Sequence, residues 1–208
     1  MSRQAESGIM RASSEFVEFQ VFMLSTLSRT TLDILFLKKG PQDLPAVLTL
    51  VVGAMLAYFT LNFFLLQTGL PAAQALTHAF LSCLILALYT HGLLRWKKLP
   101  ERFTQTLLAL LLTSVVLGLL TVGPMQALQP FLEEIATAEP GAELVIQPPT
   151  WAVLLYAVAG IWHLIVMGHV FRHALDSNMV TGILFTLLYE VLLLTTIRVA
   201  NGMMGVGA

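Results

Sequence analysis

The sequence predicts an all-α polytopic membrane protein, in which an N-terminal amphipathic interfacial helix is followed by five transmembrane helices. The composition supports this class, because 57% of the 208 residues are hydrophobic and only 11% are charged, whereas soluble domains carry about 25% charged residues. Five apolar runs are each long enough to cross the roughly 30 Å hydrocarbon core of a bilayer as a helix. The basic residues, in addition, are almost entirely confined to alternate connecting segments.

Residues 1–45 form a predicted N-terminal segment that contains the amphipathic helix. Within residues 14–39, the charged side chains of Glu18, Arg29 and Asp33 share one sector of a helical wheel. Placing Arg29 and Asp33 near the centre of a spanning helix would cost about 2.5–3.5 kcal/mol each. We therefore expect this helix to lie in the membrane interface, with its apolar side towards the lipid. That side carries Val17, Val21, Leu24, Leu27, Leu32 and Leu35.

A transmembrane domain is predicted over residues 46–200, with a short C-terminal tail at 201–208. Prolines and polar turns separate its apolar runs. We expect Pro124 and Pro130 to end the third span, so that residues 124–149 form an external loop that is acidic and contains no Lys or Arg. The five predicted spans cover residues 46–67, 72–94, 103–123, 150–171 and 178–198.

The distribution of Lys and Arg predicts a cytoplasmic N-terminus and an external C-terminus. Five basic residues precede the first span, four lie in the segment 95–102, and Arg172 lies between the fourth and fifth spans. With five crossings these ten residues share one side of the membrane, and basic residues in short loops stay on the cytoplasmic side. Only Arg198 lies opposite, at a helix end from which its side chain can reach the interface.

The most unusual residue in the predicted spans is Glu190, because an ionisable group in the hydrocarbon core is costly and usually functional. It lies near the middle of the fifth span, and His163 lies at a similar depth in the fourth. We expect a hydrogen bond between Glu190 and His163 across the two helices. Such a pair would either hold the helices together or handle a proton or an ion. Alternatively, Glu190 is protonated and bonded to a backbone carbonyl.

A second candidate cluster lies at the expected cytoplasmic ends of the second and fourth spans. His169 and His173 are four residues apart and share a helical face, His91 ends the second span at a similar depth, and Asp176 is close by. Two histidines and a carboxylate at this spacing can bind a transition metal, but histidines at helix C-termini also interact favourably with the helix dipole. We predict neither a metal nor a cofactor for this protein.

Several classes of function lack support in the sequence. It contains no Gly-rich phosphate loop and no HExxH or GxSxG motif, so we expect no enzyme and no catalytic residue. The net charge of −1 argues against a nucleic-acid partner. The expected partner is the lipid bilayer, with other membrane proteins as a candidate class through residues 14–39 and 95–102. The sequence leaves the oligomeric state open.

Three stretches of the chain also carry recognisable patterns. FTQTLLALLLTSVVLGLL opens the third span with F-x-Q-T-L-x-A, and WAVLLYAVAGIWHLIVMGHVFRHALD has the form of a W-x-x-x-hydrophobic-G-hydrophobic-R helix. The N-terminal helix is followed by GPQDLP, which looks like the prelude to the first span in proteobacterial inner-membrane proteins. Together these patterns resemble the Yip family of five-span membrane proteins, and in particular its bacterial members, over about residues 35–200.

The resemblance implies a place in the bacterial cytoplasmic (inner) membrane and the same orientation that the basic residues predict. It also implies a non-enzymatic role as a membrane organiser or a partner-binding subunit. The residues themselves favour one alternative, a small transporter or channel component that uses Glu190 and His163.

Overall fold

The computed structural model describes residues 23–138 and 145–203, and the described residues form six α-helices and no β-strand. The first helix, α1, covers residues 23–35. Five longer helices follow, each long and apolar enough to cross a membrane. They confirm the predicted all-α class and the five spans, and they are α2 (Leu48–Gln67), α3 (Ala72–Trp96), α4 (Phe103–Thr137), α5 (Thr150–Ala174) and α6 (Met179–Met203). The start of the predicted amphipathic helix, residues 14–22, lies outside the described residues.

The two ends of the bundle differ in charge. At one end α3 and α5 finish and α4 and α6 begin, and we call it the basic end because it carries Arg95, Lys97, Lys98, Arg102 and Arg172. Helix α2 begins at this end too, because Gln105 near the start of α4 donates to the carbonyl of Leu44. The opposite end carries the acidic side chains of Glu133 and Glu134.

Helix α4 passes through the middle of the bundle. Its consecutive residues 107–111 are almost completely buried, although consecutive residues of a helix point in different directions around its axis. A helix that is apolar and buried on all sides must be surrounded by other elements. Helices α2, α3 and α5 all pack directly against α4, so the bundle is built around this helix.

Helix α4 continues well beyond the predicted third span. The prediction that Pro124 and Pro130 end it is wrong, because both lie inside the helix, which runs to Thr137. A proline removes one backbone N–H and crowds the carbonyl four residues before it, and here the remaining helical bonds carry the chain past both sites. The first part of the predicted loop 124–149 is therefore helical.

The carboxylate of Glu134 holds the described residues that lead into α5. Both carboxylate oxygens of Glu134 accept hydrogen bonds, one from the backbone N–H of Val145 and one from that of Ile146, each at 2.7 Å. Bonds in which the acceptor is ionised are the stronger kind. Glu134 therefore ties the chain that enters α5 to the far end of α4.

Helix α1 ends in a turn whose last residue has a left-handed backbone conformation. Leu37 has a φ of 62°, the N–H of Lys38 bonds to the carbonyl of Asp33 at 2.7 Å, and the N–H of Leu37 bonds to that of Ile34. These two bonds define a Schellman motif, which satisfies the free carbonyls at a helix end. The carboxylate of Asp33 also forms an ion pair of 3.1 Å with Lys39, which fixes the direction of the outgoing chain.

The hydrogen bonds around this turn show that α1 points towards the centre of the bundle. The indole N–H of Trp162, near the middle of α5, donates to the carbonyl of Leu35 at 3.2 Å. His169, close to the basic end of α5, bonds to the carbonyl of Lys39 at 2.8 Å. Asp33 lies beside Lys39, because its carbonyl also accepts from the Lys39 N–H. The chain therefore descends from Asp33 to Leu35 and then rises again towards the basic end.

One side of α1 packs against the bundle and the other remains open. Thr30, Thr31 and Ile34 are buried, and Leu35 packs in a cluster with Leu117 of α4 and Val166 of α5. Leu24, Leu32 and Phe36 are exposed. Leu24 and Leu32 belong to the predicted apolar side, but Leu35 of the same side is buried, and the interfacial position of the helix stays a prediction. The sequence did not predict that Leu35 would pack inside the bundle.

The closest approach in the bundle joins α5 and α6. A methyl group added at Gly182 would overlap the carbonyl of Gly168, and one added at Gly168 would press on Ile183. Small residues at such a crossing let two helix backbones come together in a membrane. The α5–α6 pair is therefore a tight hairpin that requires glycine at both positions.

Candidate functional site

A polar cavity of about 250 Å³ lies between α2, α4 and α5. Its residues come from the middle sections of these helices, so the cavity lies within the membrane-spanning part of the bundle. Leucine and small side chains form much of its wall, and polar groups face it from all three helices. The polar lining consists of Tyr58, Asn62, Ser114, Thr121, Tyr156 and His163.

His163, one of the two predicted intramembrane residues, faces this cavity. Its Nε2 lies 3.0 Å from the hydroxyl of Ser114 on α4. Either group can donate, because the role of the ring nitrogen depends on the histidine tautomer. The expected partner, Glu190, makes no hydrogen bond to His163 among the described residues. The helices that bear the two residues do pack against each other, but His163 faces α4 and not α6.

Glu190 lies on α6 and is partly exposed. Within the described part of the chain its carboxylate has neither a hydrogen bond nor an ion pair. Its electrostatic neighbours are Tyr58 of α2 and Tyr189 of α6. Tyr58 also lines the cavity, so it stands between Glu190 and the site that holds His163.

These side chains form a layer of polar groups across the middle of the bundle. We call it the midplane layer, and it comprises Tyr58, Asn62, Ser114, His163, Tyr189 and Glu190. The amide of Asn62 donates to the carbonyl of Tyr58 at 2.8 Å, and the Tyr58 hydroxyl has Asn62 and Tyr189 as its side-chain hydrogen-bond neighbours. Polar groups at this depth are expensive without partners, so a layer of them marks the strongest candidate site in the described residues.

A second cavity, of about 280 Å³, lies at the basic end. Arg102 forms an ion pair of 2.8 Å with Asp176, and it donates to the carbonyls of His173 and Ala174 at 3.3 and 3.2 Å. A guanidinium at this position satisfies the free carbonyls at the end of α5. Its hydrogen bond to the Asp176 carboxylate lowers the pKa of that group below its ordinary value.

The N-terminal segment forms the other wall of this cavity. Gln105 donates to the carbonyls of Gln42 and Leu44 at 3.2 and 2.6 Å. Arg102, immediately before α4, and Gln105, in its first turn, lie three residues apart, so the start of α4 holds both the end of α5 and the chain that leads into α2. The cavity is lined by Pro41, Gln42, Arg102, Gln105, Thr106, His173, Ala174 and Asp176.

The predicted cluster at this end forms only in part. The rings of His169 and His173 meet edge to face with centroids 4.6 Å apart, and Asp176 is an electrostatic neighbour of His173. His91, in contrast, packs against Phe103 with centroids 5.4 Å apart. Across residues 23–138 and 145–203, no group of three or more His, Cys, Asp or Glu side chains is arranged to hold a metal ion.

His169 has a structural role that the sequence did not reveal. It is buried, and its Nε2 bonds to the carbonyl of Lys39, which anchors the N-terminal segment to α5. Its Nδ1 has no partner among the described residues. Nor did the sequence single out Tyr58, Ser114, Arg102 or Gln105 as site residues. A signal for Tyr58 was present in the sequence. Tyr58 and Asn62 lie four residues apart in a span without charge, so they share one helix face.

The geometry defines a multi-pass helical membrane protein with a polar site at the centre of its bundle. Comparison of the chain with protein-family models, with curated proteins and with solved structures found no match in any of the three.

Proposed function

We propose that this protein is a non-enzymatic, Yip-like membrane organiser of the bacterial cytoplasmic membrane, with its basic end in the cytoplasm. The observation that supports this function is the descent of α1 to the level of Trp162, in the middle of α5. The basic end is assigned to the cytoplasm because Lys and Arg in short loops remain there.

The position of α1 gives the protein an asymmetric cross-section. The end of α1 lies at the depth of Trp162, where Leu35 packs against α4 and α5, and the chain after it bonds through Lys39 to His169 nearer the basic end, so α1 adds to the cross-section on that side. The exposed side chains of Leu24, Leu32 and Phe36 add apolar volume on the same side. A protein that is wider in one leaflet favours membrane that curves away from the other leaflet, and amphipathic insertion is curvature-sensitive for this reason.

The test is the partition of the reconstituted protein between flat and strongly curved membrane. Labelled protein, oriented with the basic end outside a giant vesicle, should be enriched in a thin membrane tube pulled outward from that vesicle. A variant that lacks residues 1–39 should lose most of the enrichment. The matched control is Arg29→Gln, which changes one exposed charge of α1 and should retain it. Equal enrichment of a folded deletion variant and the full chain would overturn the proposal.

A second candidate function, a small transporter or channel component, is favoured by the midplane layer. Proton and ion pathways use buried ionisable groups beside polar cavities, and Glu190, which has no ion-pair partner among the described residues, lies near such a cavity. In liposomes with a pH gradient this function predicts a flux that Glu190→Gln abolishes and that His163→Gln reduces. Absence of flux from the unmodified protein, at a density of several copies per vesicle, would exclude it.

A further inference from the structure

The intramembrane cavity is a groove that opens sideways to the lipid. Helices α2 and α5 each pack against α4, so α4 forms the floor and the other two helices form the walls. The lining residues Tyr156 and Gly160 on α5 are exposed, and they mark the mouth of the groove. A ligand would therefore enter from the bilayer and not from water.

The depth of the groove excludes a charged head group. Its polar residues lie near the middle of the spanning helices, where an unpaired ion is strongly disfavoured. The one charged side chain of the midplane layer, Glu190, is not among the lining residues. The chemistry that fits is an uncharged molecule that dissolves in hydrocarbon and accepts or donates hydrogen bonds.

The shape of the groove favours a flat ring. Small residues at Ala159 and Gly160 keep the α5 wall low, and a methyl group added at Gly160 would meet no atom within 4 Å, whereas Leu61 packs over Gly118 on the floor. The aromatic rings of Tyr58 and Tyr156 stand at the two walls. Its volume of about 250 Å³ lies just below the roughly 300–1,000 Å³ of sites that enclose a whole drug-sized ligand. It is thus suited to a single head group whose hydrocarbon tail remains in the bilayer.

We propose that this groove binds the carbonyl-bearing ring of a hydrophobic quinone or the corresponding quinol. The hydroxyl of Ser114 and the ring of His163 would serve one oxygen of the ligand, and the Tyr58 hydroxyl with the Asn62 amide would serve the other. The proposal concerns binding only. It goes beyond the membrane-organising function, since it concerns a ligand of the groove and not the shape that α1 gives the bundle, although Leu35 of α1 packs against the lining residue Leu117.

The groove can be blocked by one substitution. A methyl group built at Gly160 meets no atom within 4 Å, so Gly160→Leu should be tolerated by the fold while it fills the mouth. The matched control is Gly53→Leu, since Gly53 is equally unobstructed but lies on α2 outside the groove lining. A second variant, Ser114→Val, removes the hydroxyl at nearly constant volume.

The experiment uses the full chain in lipid nanodiscs and an azido-substituted short-chain benzoquinone as a photolabel, with decylubiquinone and a diacylglycerol as separate competitors. We expect saturable labelling of peptides from α2, α4 or α5 around the groove, displaced by decylubiquinone but not by diacylglycerol. Labelling should fall at least about tenfold in Gly160→Leu and severalfold in Ser114→Val, with Gly53→Leu unchanged.

Two outcomes would overturn the proposal. One is equal labelling of the Gly160→Leu and Gly53→Leu proteins, which would mean that the quinone binds elsewhere or adsorbs without a site. The other is equal displacement by diacylglycerol, which would mean that the groove takes any neutral lipid and does not select a ring. Failure of the membrane-organising function would leave both readouts unaffected.

Discussion

Many serine and threonine hydroxyls in the spanning helices bond to a backbone carbonyl of their own helix. Thr113, Thr186 and Thr195 each donate to the carbonyl four residues earlier, a common arrangement that satisfies the hydroxyl without involving a neighbour. Side chains that bond between helices are fewer, and they set the contacts of the bundle. Examples are His163 with Ser114 and, at the end opposite the basic end, His78 with Asn201 at 2.8 Å.

This difference between the two kinds of hydroxyl can be measured. We expect Ser114→Ala to lower the free energy of unfolding by about 1 kcal/mol, because it leaves His163 without its partner. Thr195→Ala should change it by only a few tenths of a kcal/mol, since that hydroxyl serves only its own helix. Reversible unfolding in mixed micelles would measure both. Equal effects would show that the His163–Ser114 bond contributes nothing to stability.

The ion pair of Asp176 with Arg102 predicts a pH dependence. Since the hydrogen bond to Arg102 lowers the pKa of Asp176, the ionised carboxylate stabilises the folded protein. This contribution is complete above the unfolded value of about 3.9 and is lost as the pH falls through the lower folded value.

The test of this dependence is Asp176→Asn, since asparagine tolerates the left-handed backbone of this position. The variant should melt at a lower temperature than the unmodified chain at pH 7, and the difference should shrink as the pH falls below about 4. The control is Glu101→Gln, which removes a nearby carboxylate that does not bond to Arg102. If the difference in melting temperature between the variant and the unmodified chain stayed constant with pH, the effect would come from the shape of the turn and not from the charge of Asp176.

At the scale of helices, three C-termini end in the same way. Leu37, Lys98 and Asp176 are the non-glycine residues with positive φ in the described part of the chain, and each closes a Schellman motif, after α1, α3 and α5 in turn. A non-glycine residue in this conformation costs about 1–2 kcal/mol. Packing and ion pairs around these turns must offset that cost.

The anchor of α1 predicts a change in protease sensitivity. Trp162→Phe keeps an aromatic ring but removes the N–H that bonds to Leu35. We expect trypsin to cleave at Lys38 or Lys39 about fivefold faster in this variant, which corresponds to about 1 kcal/mol for one hydrogen bond. Trp151→Phe, at the other end of α5, should cleave at the original rate. Unchanged cleavage in Trp162→Phe would mean that packing alone holds α1 in place.

The α5–α6 hairpin predicts a position-specific glycine requirement. Gly182→Ala introduces a methyl group that overlaps the carbonyl of Gly168, and we expect a loss of stability of about 1–3 kcal/mol. Gly202→Ala, on the same helix, meets no atom within 4 Å and should be neutral or slightly stabilising. Unfolding of the two variants side by side provides the measurement. Equal stability would contradict the close approach of α5 and α6.

The number, order and approximate position of the spans could be predicted, because hydrophobic length is a property of each segment alone. The far end of α4 could not, because whether a proline ends a helix depends on the bonds and contacts of its neighbours, as at Pro124. The predicted hydrogen bond between Glu190 and His163 does not form among the described residues, for a related reason. Residue number fixes the depth of a side chain in a span, but the direction in which His163 points depends on how the helix is rotated against α4.

At the scale of the whole molecule, the decisive property is the charge difference between the two ends. It predicts that a cysteine at position 97 reacts with a membrane-impermeant maleimide only after the cells are opened. A cysteine at position 145, beside the far end of α4, should react in intact cells. The native Cys83 is buried, so the unmodified chain serves as the unlabelled control. Labelling of position 97 in intact cells would reverse the proposed orientation.

The length of α4 lets this one helix reach both ends of the bundle. Its 35 residues at 1.5 Å each form a rod of about 52 Å, longer than the roughly 30 Å of hydrocarbon it has to cross. Arg102, immediately before this helix, pairs with Asp176, and Glu134 near its other end binds the N–H groups of Val145 and Ile146. One helix therefore joins the turn before α6 at the basic end to the chain that enters α5 at the opposite end.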